Sequence, residues 1–245
     1  DTITLNNSDI SASTTFDYTD RSRQIGSSSN GDKPTAGDIT LDSMNISILS
    51  GSEIKSESLA ADAIKSSPGT ILLGIDNETA NVLIDASIVS VTTKTFDADP
   101  GFIGIYGENV ELNNATQVLA EIEVSDGSGE GSGIEIKGGA VKVINASFVS
   151  TQVVDGSNTP GDILIEADSI LVANQIEGLA QATISAKVLR DESVPTLGQS
   201  RDSLTGTITL NGDVSILDSG LVTVEVEKDA GAVPGGININ ADSTR

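Results

Sequence analysis

Gly161-Asp162-Ile163-Leu164-Ile165-Glu166-Ala167-Asp168-Ser169-Ile170-Leu171-Val172 carries two apolar-x-apolar pairs, Ile163/Ile165 and Ile170/Val172, with four residues between them. Alternation of period two turns one face of each pair inward, so the stretch reads as two short strands joined by a tight turn. The same four-residue spacing recurs at Ile39/Leu41 with Ile46/Ile48, at Ile103/Ile105 with Val110/Leu112, and at Ile134/Ile136 with Val141/Val143. Ile208/Leu210 with Val214/Ile216 is one residue shorter, and Ile71/Leu73 reaches Val82/Ile84 only after extra residues. A third apolar position or pair follows five of these six units: Ile54, Val89/Val91, Val118/Ala120, Phe148, Leu221. No helical periodicity of useful length competes.

The leading Ile of each unit (Ile39, Ile71, Ile103, Ile134, Ile163, Ile208, Ile237) lies 32, 32, 31, 29, 45 and 29 residues after the one before. A repeat of this length with three short strands is one coil of a solenoid, unable to bury its inner face without neighbours. The expected fold is therefore all-β: a right-handed parallel β-helix of about seven three-strand coils. At about 4.8 Å per coil the rod is roughly 35 Å long. The leading isoleucines should form one buried column. Variable loops should all emerge along one edge, between a third strand and the next first strand. Residues 1–245 read as a single such segment. Ile3/Leu5 and Ile10/Ala12 fit second and third strands and Ile237/Ile239 a first strand, so the segment reads as cut from a longer repeat protein.

Composition agrees with stacking and excludes much chemistry. The 245 residues include four Phe, two Tyr, one Met and no Trp, too few large side chains for the core of a sphere. Ile stacked on Ile lets a narrow core form without them. The absence of His and Cys removes imidazole bases, catalytic triads, thiol nucleophiles, thiolate metal sites and disulfides. A net charge of −23 opposes binding to nucleic acid or anionic lipid. No apolar run approaches the roughly 20 residues of a membrane helix. The expected cofactor set is empty, with diffuse divalent cation binding as the one cofactor-like interaction that this charge favours.

The units Ala36-Gly37-Asp38-Ile39-Thr40-Leu41, Pro160-Gly161-Asp162-Ile163-Leu164-Ile165 and Pro234-Gly235-Gly236-Ile237-Asn238-Ile239, with Asp9-Ile10-Ser11-Ala12 as a third strand, resemble the filamentous-haemagglutinin-like exoproteins. These are large adhesins exported by two-partner secretion. The resemblance spans nearly the whole chain and rests on packing positions. It implies a structural or adhesive rod at the bacterial surface or outside the cell. Its partners would be neighbouring repeats of the parent chain and a cell-surface or matrix glycan or protein. The family's amino-terminal secretion domain is not recognisable in this chain.

Two sets of residues stand out as candidates. Asn7, Asn114, Asn145 and Asn174, with Asp218 in the same place, each follow the second strand by two residues. Stacked coils would align them into a structural ladder bonded along the axis. The two long loops, about Ser13–Ala36 and Lys187–Thr205, hold Phe16, Tyr18, Arg21, Arg23, Arg190 and Arg201, a candidate surface for an anionic or glycan ligand. The more ordinary reading of the same residues is solvated loops whose arginines offset nearby carboxylates. Asp97, Asp99 and Glu108 approach calcium-loop spacing, but Phe102 occupies the sharp-turn position and the motif fails. The rival classes are a polysaccharide-active β-helix lyase or hydrolase and a phage fibre or tailspike segment. Against the first stand the lack of His, of any Asp-Asp pair, and of Arg in the repeat strands. Against the second, outward positions such as Asp38, Thr40, Ser47, Glu135, Lys137, Lys142 and Asp162 are mostly polar.

Overall fold

Period-two patterns become strands wherever the structure is described. A computed structural model describes residues 1–14, 36–59, 67–75, 79–94, 101–122, 133–154, 161–189, 206–226 and 235–241. A part-coil, β1 (Thr2–Asn6) and β2 (Asp9–Thr14), comes first. Next come β3 (Ile39–Leu41), β4 (Asn45–Leu49) and β5 (Glu53–Ser58), then β6 (Thr70–Leu73), β7 (Asn81–Asp85) and β8 (Ile88–Thr93). Each following coil has two strands: β9 (Phe102–Asn113) with β10 (Gln117–Ile122), and β11 (Gly133–Ile144) with β12 (Phe148–Val154). The last full coils are β13 (Ile163–Ala173) with β14 (Thr183–Leu189), and β15 (Ile208–Leu217) with β16 (Leu221–Val226); β17 (Ile237–Asn240) is a part-coil. Among the described residues, six coils are thus complete and one part-coil stands at each end, slightly fewer than the seven expected.

All pairings are parallel and join each strand to its equivalent one coil away. They form a ten-stranded sheet of first and second segments and a seven-stranded sheet of third segments. In β9, β11, β13 and β15 the first and second segments run on as one strand, because the corner between them keeps its hydrogen bonds to the neighbouring coil. The corner shows instead as a reset of alternation: Ile105 and Val110, five positions apart, are both buried, with exposed Glu108 and Asn109 between them.

The expected isoleucine column exists. Ile39 lies beside Ile71, then Ile103, Ile134, Ile163, Ile208 and Ile237 in register. The column is buried from Ile39 to Ile208; Ile237, on the last strand, is 42% exposed. Each buried isoleucine removes its side chain from water, worth about 1.5–3 kcal/mol. Parallel columns run through Ile46, Val82, Val110, Val141 and Ile170 on second segments, and through Ile54, Val89, Val118, Val149 and Ile184 on third segments. The third segments differ from the sequence reading by one residue in two coils. Phe148 and Leu221 belong to the outward column of Gln117 and Thr183, and Val149 and Val222 point inward instead.

Small residues let coils stack this closely. A Cβ on Gly138 would lie 2.3 Å from the carbonyl oxygen of Gly107 in the coil before. Gly212 marks the coil that is one residue short. The register between β13 and β15 shifts there, Gly212 adopts φ +136°, and a Cβ on it would lie 1.7 Å from the Ala167 oxygen. Only glycine takes up that conformation without strain.

Candidate functional site

Each second segment ends in a tight turn, and the Asn positions belong to that turn. Asn7, Ser50, Ala86, Asn114, Asn145, Asn174 and Asp218 are equivalent, each one residue past a registered set that includes Leu49, Asp85, Asn113 and Ala173. Six of the seven have left-handed backbones: φ is 48° at Asn7, 58° at Ser50, 50° at Ala86, 52° at Asn114, 54° at Asn145 and 46° at Asp218. Asn is favoured where an L-residue must adopt that conformation. The backbone does form a ladder here: Asn7 donates to Leu49 O, Ser50 to Asp85 O, Ala86 to Asn113 O, Asn145 to Ala173 O and Asn174 to Asp218 O.

The side chains bond differently from the expected amide-on-amide stack. Asn114 Nδ2 donates to Asp85 Oδ1 at 2.6 Å, and Asn145 Nδ2 donates to Asn113 Oδ1 at 2.8 Å, each one residue off its equivalent. Asn145 Oδ1 also accepts from Gln175 N at 2.9 Å, so this buried amide ties together three coils. Asn174 turns aside to Leu179 O at 3.0 Å. Ser50 and Ala86 separate Asn7 from the others. These asparagines are turn-formers first and cross-coil ties second.

A true amide ladder stands elsewhere. Asn81 Nδ2 donates to Asn45 Oδ1 at 3.2 Å and Asn109 Nδ2 donates to Asn81 Oδ1 at 2.8 Å, along an exposed edge where the second segments begin. Asn240 and Asn211 repeat the pairing at 2.8 Å on first segments near the far end. The signal was available: Asn45, Asn81 and Asn109 each immediately precede an apolar-x-apolar pair. The aspartates of the Gly-Asp-Ile units are also cross-coil ties, for Asp38 Oδ1 accepts from Thr70 N and Asp162 Oδ1 from Thr207 N, both at 2.7 Å.

The outer faces carry ion pairs and hydrogen bonds, most of them between coils and two within a strand. Tyr106 donates its hydroxyl to Glu135 Oε2 at 2.8 Å, while its ring lies across Gly104, where a Cβ would come within 2.6 Å of Tyr106 Cε2. Burial first, then the Glu135 carboxylate, raises the Tyr106 hydroxyl well above its ordinary range. Lys137 bridges Glu135 at 2.5 Å and Glu166 at 3.7 Å, and Lys142 meets Glu111 at 3.4 Å. Lys55 meets Glu53 at 2.5 Å and Lys187 meets Glu225 at 3.5 Å. Hydrogen bonds to Glu135 and Glu53 raise the Lys137 and Lys55 ammonium groups.

An open hollow of about 520 Å³ lies where the corner narrows, bordered by Glu166, Asp168, Asn211, Asn240 and the glycines Gly138 and Gly212. It follows from the short coil at Gly212 and the small residues around it. Among the described residues, no group of three or more acidic side chains is placed to hold a metal ion.

Phe16, Tyr18, Arg21, Arg23, Arg190 and Arg201 lie outside the described residues, as do Asp97 and Asp99. The strand ends that flank the long loops are described. Thr14, Ser58, Thr93, Ile122, Val153, Val188 and Val226 stack in one column at the close of the third segments. The chain therefore leaves every third segment at the same corner, where the variable-edge reading puts the loops, but that reading fails at 74–80 and 174–182, where extra residues fall between first and second and between second and third segments. The described surface contains no arginine, since all five lie at 21, 23, 190, 201 and 245. No family model, curated protein or solved structure matches this chain.

Proposed function

We propose that the chain is a non-catalytic rod segment of a large secreted or surface-attached bacterial exoprotein of the filamentous-haemagglutinin-like kind. It would serve attachment to a cell-surface or matrix glycan or protein, with contact along the loop edge. The observation that carries this reading is the single column of third-segment ends, Thr14 to Val226, from which the two longest connections, 15–38 and 190–207, depart. Strand faces are committed to stacking: their lysines pair with glutamates and their amides with amides. Variation is tolerated where the chain leaves that lattice, and binding concentrates in such positions. The arginines at 21, 23, 190 and 201 fall in the two longest of these connections.

The test is a glycan-array and cell-binding assay on the chain, beside a version with residues 15–35 and 190–205 shortened. Binding should fall in the shortened form, and binding by an anionic glycan should weaken as salt screens the arginines. Equal binding after shortening would overturn the loop edge as the contact. Hydrolysis or elimination of a polysaccharide would overturn the non-catalytic reading and favour the enzyme class.

A further inference from the structure

We infer that the outer face of the first segments in β9, β11 and β13 is a docking surface for an extended, basic segment of a partner protein. The inference stands apart from the loop edge and calls for a partner opposite in charge to an anionic glycan.

Charge is concentrated on this face in the middle of the rod. In the coils from β9 to β14, the first segments and the corner that ends them carry Glu108, Glu135, Asp162, Glu166 and Asp168. Lys137 is the one cation beside them. The second and third segments of the same coils carry one outward carboxylate each, Glu111 and Glu121, and both are engaged between coils, by Lys142 and by Gln152. On the first-segment face Lys137 is shared between Glu135 and Glu166, so carboxylates remain in surplus. Gly139 has no side chain to intervene, and the Glu108 carboxylate leans across it toward the coil of Asp168. A Cβ on Gly139 would lie 2.6 Å from Glu108 Oε1.

The same face holds Phe102 and Tyr106, the aromatic residues of the first segments among the described residues. Both are half-buried, the Tyr106 ring over Gly104 and the Phe102 ring 3.7 Å from where a Cβ of Gly133 would stand. Acid borders each ring: Glu135 accepts from the Tyr106 hydroxyl, and Asp162 follows Gly133 in the column of Phe102. Ring and carboxylate both attract positive charge, and a planar guanidinium meets both at once.

Spacing favours an extended chain. Asp162, Glu135 and Glu166 stand in three successive outward columns, and Glu108 and Asp168 follow at the corner. Such columns are about 6.6 Å apart, the interval between alternate side chains of an extended peptide. A segment with Lys or Arg at every second position therefore sets one cation opposite each column. The chain's charge of −23 speeds the approach of such a partner and repels anionic ones.

The probe is a dye-labelled peptide of alternating Arg and Ser, titrated against the chain at about 0.15 M salt and read by fluorescence anisotropy. Glu108→Gln/Glu166→Gln/Asp168→Asn should weaken its binding about tenfold. Asp9→Asn/Glu53→Gln/Glu57→Gln removes as much charge from another face and should weaken it by less than about twofold. Phe102→Leu keeps Gly133 covered and the charge unchanged, and should weaken binding about threefold. Circular dichroism melts verify that each variant keeps the parent fold. Shortening residues 15–35 and 190–205 should leave peptide binding unchanged, which separates this surface from the loop edge. Equal losses in the two charge variants would reduce the attraction to bulk acidity and overturn the inference. Undiminished binding by Phe102→Leu, loss of binding on loop shortening, or no binding by the parent chain would overturn it as well.

Discussion

Ile163 sits between Ile134 and Ile208 with no exposed surface. Replacing it by Asp puts an unpaired carboxylate among apolar neighbours on both sides, a cost of several kcal/mol. Chemical denaturation should show Ile163→Asp unfolded or severely destabilised, with Ile163→Val losing about 1 kcal/mol. Thr151 makes the opposite case. It occupies the inward column of Ala120 and Ala186, is fully buried, and its hydroxyl has no hydrogen-bond partner among the described residues. Thr151→Val keeps the shape and removes the orphaned group, and should raise unfolding free energy by about 1–2 kcal/mol. Tyr106 supplies the pH dependence. Its hydroxyl is held protonated in the fold by burial and by Glu135, whereas an unfolded chain loses that proton at a pH of about 10. The contribution is complete below that pH, and stability falls as pH rises above it, because there the unfolded state binds fewer protons than the folded one. Lys55 and Lys137, also raised, act in the same direction. The readout is therefore a difference: Tyr106→Phe should lose less stability between pH 9 and 12 than the parent chain.

At the scale of the strand and turn, the short coil at Gly212 makes the sharpest prediction. Gly212→Ala forces a Cβ against the Ala167 oxygen in a backbone conformation closed to L-residues. It should cost about 3 kcal/mol or more in chemical denaturation, while Gly178→Ala, with positive φ and open space around it, should cost about 1 kcal/mol. That coil was already visible in the sequence as a missing residue between Leu210 and Val214. The first- and second-segment columns were legible because isolated Ile-x-Ile pairs have only one phase. Third segments were harder. Phe148-Val149 and Leu221-Val222 are adjacent apolar residues, and either could point inward by pattern alone. The structure decides through the turn before them, where Ser147 and Gly220 hold fixed positions and their followers face out. The Asn set was legible only in part, for a related reason. Asn serves both left-handed turns and amide stacking, and spacing cannot separate the uses. The stacked amides are Asn45, Asn81 and Asn109, hidden because each comes just before a strand pair and looks like an ordinary boundary residue. Of the loop-edge candidates, only the corner from which the loops depart was legible, since it follows from repeat order; what the arginines touch depends on loop geometry that no repeat dictates.

Over the whole molecule, acidity is the dominant long-range term. A net charge of −23 spread along a narrow rod repels itself, and few described cations offset it beyond the cross-coil pairs. Raising sodium chloride from about 10 mM to 0.5 M shortens the screening length from about 30 Å to a few ångströms. The melting temperature should therefore rise with salt, read by circular dichroism. A chain whose melting temperature fell with salt would owe its stability to the ion pairs instead. The parallel pairing between coils has a mechanical reading too. Hydrogen bonds between equivalent strands lie along the rod axis, so a pull along that axis loads successive coils in series. Each junction then bears the full tension, and the rod can be no stronger than its weakest layer. Among the junctions between complete coils, the one that joins β3, β4 and β5 to β6, β7 and β8 has the fewest paired residues and marks where such a layer lies. A sideways push is shared by many coils at once, so the same lattice that separates readily when stretched resists being bent.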